Sequence, residues 1–147
     1  MNRETTRMKL QEALITGNQA LQTLYAARKN ISEICGRQSF YKSGGGLFKT
    51  LVNHSRIHQT IHLIEDAKKD LYIFQMNLKE AKQDLELRVE TDCFLSFTNF
   101  FFDGDVADYL VPREILNTLD QIDDAIWHVE QILDHTKHKM NSQKTFA

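Results

Sequence analysis

The fold is decided by residues 57–85, IHQTIHLIEDAKKDLYIFQMNLKEAKQDL. Ile57, Ile64, Leu71, Leu78 and Leu85 recur every seven residues, joined by Ile61, Ala67, Phe74 and Ala81 at steps of three and four. A side chain returns to the same side of an α-helix after three or four residues, whereas a half-buried strand alternates in twos. The segment therefore reads as a helix. Since neither Pro nor Gly occurs between Leu47 and Asp103, the helix is expected to run from Leu47 to about Val89, about 65 Å at roughly 1.5 Å per residue. Between Leu71 and Leu78 it is apolar on more than one face. Such a helix has to be covered on several sides, by other helices of a bundle or by a second copy of the chain.

Upstream lies YKSGGGLFKT, Tyr41–Thr50. Its glycines and Lys-Thr suggest a phosphate-binding loop, but in that alignment Ser43 and Phe48 stand where glycines are required and no strand precedes. The loop is read as a hinge between two helices, with glycine supplying backbone freedom. From about residue 4 to Cys35, the series Ala13, Gly17, Ala20, Leu24, Ala27, Ile31, Ile34 marks a first helix. Its small residues let another helix approach closely at Gly17, a second seam of Leu10, Leu14, Leu21 and Leu24 widens the apolar stripe, and Gly36 is expected to stop it.

Downstream, Asp92 can cap a short aromatic helix on which Phe94, Phe97 and Phe101 share one side while Phe100 and Phe102 point elsewhere. Asp105 can cap the last helix, with a kink expected at Pro112. Ile115, Leu119, Ile122, Ile126, Val129 and Leu133 then keep helical spacing to an end near His138, leaving residues 139–147 as a frayed tail. The expectation is one all-α domain over residues 1–147, an antiparallel bundle of three long helices plus the short aromatic one.

Composition agrees with this reading. The 147 residues include one Pro, six Gly and 26% charged side chains, enough chain for a core without disulfides or structural metal. Cys35 and Cys93 form no paired motif and read as packed thiols. No signal peptide or membrane span is evident, so a cytoplasmic location is expected. The net charge of −2 hides an asymmetry: residues 1–59 carry nine Lys or Arg against three acids, while Asp103–Asp134 holds nine acids and one Arg. These fields can complement one another inside the bundle, or one of them can dock a charged protein partner.

Few residues suggest chemistry. His54, His58 and His62 stand at successive i+4 positions, with Asp66 one step further. Neighbouring imidazoles at that spacing can share a divalent transition metal, with other ligands drawn from another helix, such as His128 or His135. Neither the Glu-x-x-His pairs of di-iron bundles nor HExxH is present. Asp103, Asp105 and Asp108 fail the calcium-loop pattern and suit helix capping. Arg28, Lys29, Arg37, Lys42, Lys49 and Arg56, with Phe40 and Tyr41, form too dilute a patch on a slightly acidic chain for nucleic acid to be the expected partner. Catalytic triads have no local signature, so a non-enzymatic protein without a cofactor is expected, acting through protein contacts. A homodimer is the simplest arrangement, using Leu71, Tyr72, Ile73, Phe74 and Met76 with the Phe94, Phe97, Phe100, Phe101 and Phe102 cluster. The metal-binding bundle is the alternative.

Overall fold

In the computed structural model the described residues form three helices, α1 (Arg3–Tyr41), α2 (Leu47–Lys82) and α3 (Ile115–Thr145), with no strand among them. Residues 1–2, 42–46, 83–114 and 146–147 lie outside the description, as do the side chains of His54 and Cys35. The expected glycine hinge, the stretch 83–89, the aromatic helix, the caps at Asp92 and Asp105, the thiol of Cys93 and the kink at Pro112 therefore all fall outside it. Among the described residues no helix is long and apolar enough to cross a membrane.

Two boundaries differ from expectation. α1 continues through Gly36 to Tyr41, because a helical glycine costs only about 1 kcal/mol relative to alanine and stops a helix only where the backbone turns left-handed. α3 continues past His138 to Thr145. Met140 packs beside buried Leu10 and Ala81, so tertiary contact holds a turn that was expected to fray.

α1 is the helix on which the other two pack, and no Cα of α2 comes within 8 Å of one in α3. The pairings set direction. Leu10 meets Ala81 and Met140, Gly17 lies beneath Phe74 and Leu133, and Tyr25 reaches Glu130. Rising numbers on α1 thus meet falling numbers on both neighbours. α2 and α3 consequently run parallel to each other and antiparallel to α1, in an all-helical bundle.

The core repeats the sequence seams. Ala13, Ala20, Leu24, Ala27, Ile31 and Ile34 of α1 are buried against Ile64, Leu71 and Phe74 of α2 and Ile122, Val129 and Leu133 of α3. The close approach expected at Gly17 is present: a Cβ there would sit 2.5 Å from Leu133 Cδ2 and 2.8 Å from Phe74 Cε1. Two polar side chains at the core are satisfied, one locally and one across helices. Thr136 Oγ1, buried, donates to the Ile132 carbonyl at 2.7 Å, and Asn77 Nδ2 donates to Thr16 Oγ1 at 2.9 Å between α2 and α1. A hydroxyl bonding back one turn avoids the cost of an unpaired buried donor.

Candidate interaction surfaces

The outer side of α2 follows from its heptads. With Phe74 and Leu71 turned inward, a rotation of 100° per residue places His58, Glu65, Lys69, Tyr72 and Met76 on the opposite stripe, with His62 and Ile73 at its edge. Tyr72, Ile73 and Met76 are 58%, 48% and 44% exposed. Three large apolar side chains within five residues form a continuous patch rather than scattered exposure. Leu71 and Phe74, expected beside them at an interface, are wholly buried inside the subunit. The five phenylalanines lie outside the described residues.

The same stripe carries the histidines. His58 and His62 are exposed, their rings stacked with centroids 6.4 Å apart and planes inclined at 24°. Asp66, one turn on, is exposed as well. The i+4 spacing thus brings two imidazoles together as expected. Among the described residues no group of three His, Cys, Asp or Glu side chains stands where it could hold a metal. No Cα of α3, the helix of His128 and His135, lies within 8 Å of one in α2. His128 instead stands edge-on to Trp127, centroids 5.1 Å apart.

α3 turns an acidic side outward, with Asp120, Asp124, Glu130 and Asp134 around a 58% exposed Trp127. Part of this charge is met by α1. Arg28 Nε donates to Asp123 Oδ1 at 2.5 Å, and the Tyr25 hydroxyl donates to Glu130 Oε1. The ion pair is exposed at both ends, which keeps its contribution below about 1 kcal/mol. The Glu130 hydrogen bond, helped by partial burial and the carboxylate's charge, raises the Tyr25 phenol above its ordinary value, because losing the proton would lose the bond. Beside these contacts a cleft of about 310 Å³ opens between α1 and α3, lined by Asn18, Leu21, Glu130, Asp134 and Lys137 among others.

Complementary contact between the basic first helix and the acidic last one is therefore present in the Arg28–Asp123 and Tyr25–Glu130 pairs. Arg28 is engaged by Asp123, which removes one cation from the basic patch considered for nucleic acid. Sequence reasoning passed over Trp127. It sits one residue beyond Ile126, and that 100° step off the Leu119, Ile126, Leu133 seam was the available signal. Compared with known proteins, the chain matches no family model, no curated protein and no solved structure.

Proposed function

We propose that this protein is a non-enzymatic, cytoplasmic helical bundle that works through protein–protein contacts, pairing with a second copy of itself through the outer side of α2. The observation carrying the reading is the contiguous exposure of Tyr72, Ile73 and Met76 on that side. Aromatic and Met side chains are enriched at interfaces, and two-fold pairing uses one patch twice. A short aromatic helix holding Phe94, Phe97, Phe100, Phe101 and Phe102 belongs to the same proposal, adding apolar surface to that interface. The charged side of α3 is proposed as the place for any basic protein partner, with nucleic acid not among the partners.

The test is a double variant, Ile73→Glu with Met76→Glu. Both side chains are already partly in water, so the fold should persist with little change in helical circular dichroism. Light scattering should show the paired species replaced by single chains at the same concentration. If the wild type and the variant give the same mass, the α2 face is not the interface.

A second reading is favoured by the stacked pair at 6.4 Å: His58 and His62, with His54 and Asp66 along the ladder, hold a divalent transition metal. An ion bound only by the folded state raises its stability by about 2.7 kcal/mol at a hundred times Kd, or about 5–10 °C in Tm for a chain of this size. Zn²⁺, Ni²⁺, Mn²⁺ and Fe²⁺ near neutral pH are the ions to try, and His58→Ala should abolish most of the shift. Absence of a shift with all four removes this reading.

A further inference from the structure

The outer stripe of α2 keeps a heptad of its own. His58, His62, Glu65, Lys69, Tyr72 and Met76 follow one another at alternating steps of four and three residues, and all six are exposed. With that spacing two helices pack along a shared seam, each side chain lying level with one on the facing helix. The stripe is not uniform along its length. Two imidazoles stand at its beginning, one acid and one base at its middle, and Tyr72 with Met76 toward its end. Asp66 and Lys68 lie about 80° off the seam on opposite sides, so they do not set its register.

Charge decides how a second copy can lie along this stripe. Two copies running in the same direction would set Glu65 against Glu65 and Lys69 against Lys69 at the centre of the seam. Like charges placed opposite one another oppose association, which is how wrong pairings are rejected. Running in opposite directions, the copies have one register that answers every position. With a two-fold axis level with Ala67, Glu65 lies opposite the partner's Lys69, His62 opposite the partner's Tyr72, and His58 opposite the partner's Met76. Symmetry repeats each contact, so the centre holds two Glu–Lys pairs. The imidazoles at either end meet apolar and aromatic side chains instead of their own copies. This register also keeps the helices together along most of their length. Since α2 spans Leu47–Lys82, Lys82 falls level with the partner's residue 52. The overlap is about 31 residues, roughly 45 Å.

We propose that the second copy lies antiparallel on α2 about a two-fold axis level with Ala67, with Glu65 and Lys69 selecting that direction and register. The inference rests on the pairing proposed for this side of α2 and adds which way the partner runs.

Exchanging the central charges tests it, read as the dimer dissociation constant by sedimentation equilibrium of the full chain at low ionic strength, where exposed charges are least screened. Glu65→Lys sets Lys against Lys twice, and Lys69→Glu sets Glu against Glu twice. Each should weaken the dimer about tenfold or more. The exchanged variant, Glu65→Lys with Lys69→Glu, restores both opposite-charge pairs and should return the constant to within about threefold of the wild type. Both side chains are exposed, so helical circular dichroism should stay the same throughout. In a parallel dimer identical residues face each other in every variant, and all four proteins would dissociate alike. That result, with the wild type still pairing, overturns the direction and leaves the pairing in place. An exchanged variant as weak as the single ones overturns the register in the same way. A wild type that keeps the mass of one chain at every concentration overturns the pairing and this inference with it.

Discussion

Replacing Phe74 with alanine should destabilise the protein by about 3–5 kcal/mol, as large aromatic truncations in well-packed cores do. Among the described residues Phe74 is the largest of the fully buried side chains, and its ring lies over Gly17 at the point where α1 meets both neighbours. The loss combines apolar surface returned to water with a cavity that the Gly17 backbone cannot fill. Against a total stability of about 5–15 kcal/mol, this is a large fraction. In a chain of this length the change corresponds to about 10 °C in Tm. Urea titration should show a lower midpoint with an unchanged slope, since the surface exposed on unfolding is nearly the same. A loss under 1 kcal/mol would contradict the position of the ring.

The opposite change at the same contact should be comparably severe. Gly17→Leu places a branched side chain where even a Cβ would stand 2.5 Å from Leu133 and 2.8 Å from Phe74. Overpacking typically costs about 1–3 kcal/mol. The upper end applies here, because the obstacles are a fully buried ring on one helix and a buried leucine on another. Gly17→Ala is milder, its steric cost offset in part by about 1 kcal/mol of helix propensity. The two large changes should also compensate: with Phe74→Ala present, the new leucine has a cavity to enter. The double variant should be more stable than the sum of the singles by about 1–3 kcal/mol, the coupling expected of residues in contact. Additivity would mean that α1 and α2 do not meet at this register.

The same contact shows which features were legible in the sequence. A seam of Ala and Gly on α1 announces close approach, since only small side chains let backbones come together, and Gly17 lies in contact with both partners. The heptads of α2 likewise identified the buried Ile64, Leu71, Phe74 and Leu78. Helix ends were less legible. Gly36 resembles a stop but is tolerated within α1, and residues beyond His138 remain helical where Met140 finds Leu10 and Ala81, partners more than fifty residues away in sequence. The division of Leu71–Met76 between inside and outside also depended on tertiary packing. Spacing showed that the segment was apolar on several sides, but only the placement of α1 left Tyr72, Ile73 and Met76 outward. For the histidines, i+4 spacing brought His58 and His62 together, while a further ligand from another helix depends on tertiary contacts that local spacing does not encode.

Self-association through the outer side of α2 is tested most directly by sedimentation equilibrium of the unmodified chain across the micromolar range. Self-association gives a mass rising toward twice 17.1 kDa as concentration increases. A mass of 17.1 kDa at every concentration would contradict it.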